Sequence, residues 1–226
     1  MQSESNLEYF SQKKEKYNLE VLHNFKKIGQ KEIPVSNIRV DLNIKDKIIY
    51  VFGGNLGYAQ DLDNLLRLVN SFKGDERIHF LFIGEGTEYR NIESWIHLHS
   101  SKNLTLLPAM SDKDYQGVLK ECDVGIISLR KSFKTDNYPA KILNYMEYGL
   151  PILASINPGN DLRLLIEKNQ NGLVCDNGQD GLFIENANIL LNNESKRNEM
   201  GANGYNLLKK YFDVNTAAKQ VTKIDH

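Results

Sequence analysis

Residues Asp136–Ser155 read DNYPAKILNYMEYGLPILAS, and no other stretch decides as much about the fold. Proline is tolerated where a helix begins, because the missing N–H has no partner there. Pro139 therefore opens a helix expected over Pro139–Tyr148. Ile142, Leu143, Tyr145 and Met146 fall at the spacing of one buried helical face. Gly149 and Pro151 stop that helix and lead into a strand at Pro151–Ala154. Free N–H groups at such a helix start, with the helix dipole behind them, attract anions. Lys141 adds a cation in the first turn. Parallel α/β sheets hold their ligands at the carboxyl ends of the strands, so this helix start is a candidate anion site.

Outward from it, short β-branched runs alternate with amphipathic stretches, the pattern of a parallel sheet wrapped by helices. Strands are expected at Ile48–Phe52, His79–Ile83, Leu104–Leu107, Val124–Ser128, Pro151–Ala154 and Gly172–Cys175. Further helices are expected near Gln60–Phe72, Glu88–Ser100, Asp112–Glu121, Asp161–Glu167, Leu182–Leu191 and Ser195–Tyr211. Each strand run is apolar on both faces. The expected fold class is α/β, a doubly wound, Rossmann-like parallel sheet of about six strands. Right-handed crossovers bring the loops after the strands to one edge. GGNLG, GEG, the loop before Pro139 and NPGND gather there. Residues 1–45 are polar and charge-rich, with one short apolar run at Leu19–Leu22. They bury too little to fold alone and read as a linker or a remnant of a preceding domain, with 46–226 as the folded unit.

A formal net charge of −1 over 226 residues marks no polyanion-binding surface, so nucleic acid is not an expected partner. Cys122 and Cys175 each lie beside a strand and read as buried, reduced thiols. The five histidines show no metal-ligand spacing, no Asp-x-Asp is read as a metal site, and no metal is expected. No apolar run is long enough to span a bilayer, and residues 1–30 carry no signal-peptide pattern. A soluble, cytoplasmic protein is expected.

The first loop, Gly53-Gly54-Asn55-Leu56-Gly57, follows a strand and precedes a helix. Glycines there let a ligand approach backbone N–H groups closely. The loop is not G-x-G-x-x-G, and the second strand ends in Gly84-Glu85-Gly86, so a dinucleotide site is disfavoured. Taken alone, each glycine loop also reads as a tight strand-to-helix turn. Asn160-Asp161, after Pro158-Gly159, reads most simply as a helix cap.

From about Lys47 to Phe212 the chain resembles the donor-binding, C-terminal domain of the retaining glycosyltransferases of family 4, which have the GT-B fold. The similarity is strongest to the bacterial branch that builds surface polysaccharides, including transferases of N-acetyl-L-fucosamine. FGGNLGYAQDLDNLL, FLFIGEGTEYRNI, NLTLLP, CDVGIISLR, YPAKILNYMEYGLPILAS, NGLVC and RNEMGANGYNLLKKYFD carry it, in that order. The resemblance implies that Gly53, Gly54 and Asn55 face the diphosphate of a nucleotide-sugar donor. Gly84, Glu85 and Gly86 would lie near the nucleobase, with Pro108 as neighbour, and Tyr138 would join the donor-binding residues. The family's paired glutamates, near the transferred sugar and on the ribose hydroxyls, match Asp136 and Asn144.

Those two positions depart from the pattern. Asn144 can hydrogen-bond a diol, but without the strength of a carboxylate, and Asp136 keeps its charge on a shorter arm. The usual Arg and Lys after the first strand appear as Asn55 and Gln60. Diphosphate charge then falls to Lys141 and Arg130, although Arg130, Lys131 and Lys134 also read as a solvated loop. Asp136, Lys141 and Arg130 form the expected catalytic set, with no cofactor beyond the nucleotide sugar, whose base the resemblance implies is uracil. The resemblance also implies a missing acceptor-binding domain, in cis or in trans. LEVLHNF resembles the last strand of that half. Peripheral association with the inner face of a bacterial membrane would come through it. The chain is expected to bind donor but transfer poorly alone, with Leu19–Leu22 and the cleft edge exposed and apolar. The alternative is a non-catalytic nucleotide-sugar-binding module or an inactive remnant.

Overall fold

The computed structural model describes residues 24–29, 32–133 and 138–222. The Leu19–Leu22 run and Asp136 lie outside them. Six parallel strands form one sheet: β1 (Ile48–Asn55), β2 (Ile78–Glu85), β3 (Leu104–Leu107), β4 (Val124–Ser128), β5 (Ile152–Ile156) and β6 (Gly172–Asp176). Their order is β3-β2-β1-β4-β5-β6, so the chain winds outward from β1 in one direction and from β4 in the other. The doubly wound architecture expected from the sequence is the observed one.

Helices cover both faces: α1 (Ile38–Asp41), α2 (Leu62–Ser71), α3 (Tyr89–His99), α4 (Asp112–Leu119), α5 (Lys141–Glu147), α6 (Leu162–Asn169), α7 (Asp180–Asn192), α8 (Glu194–Leu207) and α9 (Val214–Thr222). A π-helical turn, Leu208–Phe212, continues α8. The period of two along β1 separates two cores. Ile49 and Val51 join Ile142, Tyr145, Met146, Ile166 and Phe212 on one face. Tyr50 and Phe52 join Leu65, Val69, Phe80, Phe82 and Phe183 on the other.

Several boundaries differ from the sequence reading. β1 and β2 do not stop at their last apolar residues, because the ladder continues through Gly53↔Ile83, Gly54↔Gly84 and Asn55↔Glu85. Glycine reads locally as a turn, yet two facing glycines let the strands stay paired to the sheet edge. α5 begins at Lys141, not Pro139, and runs only seven residues. α1 and α9 carry too little apolar pattern to be anticipated.

Beyond Tyr50↔Val124 and Val51↔Gly125, β1 and β4 no longer pair. The gap falls at the point where the winding direction reverses, the usual ligand crevice of such sheets. Tyr145 from α5 bridges it. Its hydroxyl accepts from Gly53 N at 3.2 Å and lies 3.3 Å from the carbonyls of Val51 and Ile126. The ring passes over Gly125, where an added Cβ would lie 2.4 Å from it.

The segment ahead of the sheet is also pinned. Lys26 N donates to Phe212 O at 2.8 Å, and Val214 N donates to Lys26 O at 3.1 Å.

Candidate donor-binding site

The glycine ends of β1 and β2 form the floor of the crevice. A Cβ on Gly84 would meet Gly54 O at 1.8 Å, so no larger residue fits without moving a central strand. Gly54 has φ +111, a conformation open to glycine and costly for other residues. On the side where its Cβ would project, the nearest atoms are Cε and Nζ of Lys141, at 3.8 and 3.9 Å. Gly54 thus lies beside Lys141, with Gly53 and Asn55 its neighbours in β1.

Lys141 is the unusual cation of this edge. Its ammonium sits 3.7 Å from the centroid of the Phe52 ring and donates to Gln60 Oε1 at 3.3 Å. No carboxylate pairs with it among the described residues. Burial lowers its pKa from 10.5 to about 7, because an enclosed ammonium loses hydration that an aromatic face and one amide only partly replace. A cation held this way gains strongly from an anion brought beside it.

Arg130 reaches the same edge but is differently placed. Its Nη2 pairs with Asp61 Oδ1 at 3.3 Å, its Nε donates to Tyr58 O at 2.9 Å, and its guanidinium lies 3.8 Å over the Tyr58 ring. Asp61 also accepts from Asn177 Nδ2 at 2.8 Å. Arg130 is therefore a structural clasp on the loop after β1, with its charge already met.

The helix-start argument needs correction. Ile142 N donates to Pro139 O and Leu143 N to Ala140 O, so these first amides are spent within the turn. With α5 so short, anion attraction rests on the Lys141 side chain and the glycine ends, not on the helix dipole.

An open pocket of about 260 Å³ adjoins the glycine floor, lined by Gly54, Ile83, Gly84, Ala109, Met110, Asp112 and Tyr115. Pro108 is exposed immediately before Ala109 and Met110, while Glu85 and Gly86 are exposed at the end of β2. The Asn55 side chain lies against Gly86, whose added Cβ would be 2.8 Å from Asn55 Oδ1. A second pocket of about 360 Å³ lies along α5, where Asn144 and Glu147 face Phe25, Lys26 and Gln116. Both pockets include Asp112, so together they make one groove.

Asn144 lies in that groove. Lys26 Nζ donates to Asn144 Oδ1 and pairs with Glu147 Oε2 at 2.6 Å. Tyr138 does not face it: the residue is buried, with its ring edge-on to Phe212 at 6.4 Å. Asn160 Oδ1 accepts from Leu162 N at 2.9 Å, which is the capping role expected of it.

Asp-x-Asp spacings occur at Asp61/Asp63 and Asp112/Asp114. Neither belongs to a group of three or more metal-ligating side chains among the described residues. Cys122 and Cys175 are buried and free, and burial pushes both thiols up. Among the described residues no helix is long and apolar enough to cross a membrane. Sequence reasoning gave no site role to Lys26, Tyr115, Tyr145 or Glu147. Of these, Glu147 alone left a signal, one helical turn beyond Asn144.

Comparison with known proteins agrees with this geometry. Residues 34–207 match the model of the family described as Glycosyl transferases group 1. The chain is 25% identical over 131 residues to a probable glycosyltransferase, WbjE, of Pseudomonas aeruginosa, covering 58% of this chain and 32% of that protein. It is 22% identical over 151 residues to WcaI of Escherichia coli, a putative colanic acid biosynthesis glycosyl transferase, covering 67% and 37%. Among solved structures, a variant of S. aureus TarM in complex with fondaparinux, alpha-GlcNAc-glycerol and UDP superposes with a TM-score of 0.74 at 18% identity. That match covers 98% of this chain and 42% of the TarM chain. The chain thus spans less than half the length of each of these proteins. Its sheet is that of the GT-B glycosyltransferases, and the chain belongs to the group 1 glycosyl transferase family.

Proposed function

We propose that this chain is the donor-binding half of a retaining, family 4-type glycosyltransferase. Its donor is a nucleotide-diphosphate sugar, UDP-linked, and its acceptor a growing O-antigen or capsular polysaccharide or a lipid-linked sugar. An N-acetylaminosugar related to N-acetyl-L-fucosamine is the transferred group suggested by the sequence resemblance. One observation carries the reading: an enclosed Lys141, with no carboxylate partner among the described residues, beside Gly54 at the glycine end of β1. The UDP complex of TarM supports a uridine nucleotide, and the colanic acid biosynthesis named for WcaI supports the acceptor class.

In the proposed reaction the bond between the anomeric carbon and the diphosphate oxygen breaks, and a bond from that carbon to an acceptor oxygen forms on the same face. The acceptor's proton passes to the departing phosphate. Negative charge grows on the diphosphate as it leaves, and fixed donors aimed there lower the barrier. Lys141 supplies the cation, with Gly53, Gly54 and Asn55 beside it, and no metal is required. Asp136 would orient sugar hydroxyls. The acceptor-binding half, in cis or in trans, would close the groove and provide any association with the inner face of the membrane, while residues 46–226 hold the donor.

Calorimetric titration with UDP, GDP and ADP, with Lys141→Ala as control, tests this. UDP-selective binding weakened by Lys141→Ala is expected; binding of none of the three, or binding indifferent to Lys141, would contradict it. Asn144, where the family has a carboxylate, favours a second reading as a non-catalytic nucleotide-sugar-binding module. Pairing the chain with an acceptor-binding half and assaying transfer separates the two.

A further inference from the structure

The half-buried residues of α5 recur every three positions, at Lys141, Asn144 and Glu147, while Ile142, Leu143, Tyr145 and Met146 face the core. Asn144 and Glu147 line the larger pocket, and Lys141 stands one turn earlier, beside Gly54. Three residues of helix advance about 4.5 Å, roughly one step from a phosphate to the sugar that carries it. A ligand whose phosphate meets Lys141 therefore brings its next unit to Asn144.

Asn144 is held there from outside its own helix. The Lys26 backbone is fixed at N and O by Phe212 and Val214, and its side chain crosses to α5 to meet Asn144 Oδ1 and Glu147. Glu147 Oε1 also lies 3.5 Å from Gly29 N. An ammonium can only donate, so the amide oxygen must be the atom facing Lys26. Its NH2 group makes no hydrogen bond among the described residues. Glu147 neutralises Lys26, so the Asn144 amide offers a donor beside a cation whose charge is already met.

We infer that Lys26 is a positioning residue: by holding Asn144 Oδ1, it turns the amide so that Nδ2 donates to the ribose oxygens of the nucleotide. This rests on the donor-site reading above. It makes the ribose subsite a neutral hydrogen-bond donor, where a carboxylate would act as acceptor, and it ties nucleotide recognition to the segment preceding the sheet.

The test is calorimetry on the full 226-residue chain with UDP and 2′,3′-dideoxy-UDP as probes. The unaltered chain should favour UDP by about five- to tenfold, the worth of one or two neutral hydrogen bonds. Lys26→Met, which keeps length but cannot donate, should bring that ratio within about twofold of one. Lys26→Arg, which can still donate, should retain most of it. A purely structural role would lower the melting temperature of Lys26→Met and leave the ratio unchanged, and that result overturns the inference. UDP bound without ribose discrimination by the unaltered chain sinks the inference alone. Failure to bind UDP at all sinks the donor-site reading and the inference with it.

Discussion

Two lysines flank α5, Lys141 in its first turn and Lys26 across from Asn144 and Glu147, and the two are treated oppositely. Lys26 has its carboxylate, Glu147, at 2.6 Å, and its backbone is fixed by Phe212 and Val214. Lys141 has an aromatic face, one amide and, among the described residues, no carboxylate. The first arrangement positions neighbours; the second stores unmet charge. An enclosed cation without a counterion is costly in a folded chain unless something arrives to meet it, which is why the Lys141 end reads as the anion subsite and the Lys26 end as the neutral one.

The contrast can be broken from its floor upward. Gly84→Ala drives a Cβ into the carbonyl of Gly54 at 1.8 Å. It should cost on the order of 3 kcal/mol or more, seen as an earlier urea midpoint, and should abolish UDP binding with it. Lys141→Met keeps the packing on Phe52 and removes the charge. It should weaken UDP on the order of 30-fold, the worth of a charge-assisted hydrogen bond, with little loss of stability.

The pH dependence sharpens the same contrast. With a folded pKa of about 7 against 10.5, Lys141 is increasingly neutral above pH 7 in the free protein. Binding a diphosphate then requires taking up a proton. UDP affinity should fall by up to about tenfold per pH unit above 7, and Lys141→Met should flatten that slope. The unliganded fold should run the other way: stability is penalised fully below pH 7 and rises between pH 7 and 10.5, because the unfolded chain binds the extra proton. Arg130→Ala gives the smallest effect on binding, about threefold or less, since Asp61 already meets that charge.

All six strands were legible because each apolar run is flanked by turn residues, and both faces of a central parallel strand must be buried. Strand ends were less so: Gly53-Gly54 and Gly84 look like turns, and only their mutual packing keeps them in the ladder. Lys141 was legible as a cation near the crevice, but its isolation from carboxylates was not. Arg130 looked equivalent in sequence, and its pairing with Asp61 depends on how the 3-10 turn Tyr58–Gln60 meets the end of β4. Lys26 left no local signal. It lies 118 residues from Asn144, and no helical or strand period links residues that far apart.

The most direct test is nuclear magnetic resonance titration of the Lys141 side chain, with Lys141→Met to assign its signal, in the free protein and with saturating UDP. A midpoint near pH 7 when free, moving upward when UDP is bound, is the result expected if this ammonium receives the diphosphate. A midpoint at the ordinary lysine value, or one that UDP leaves in place, would contradict it.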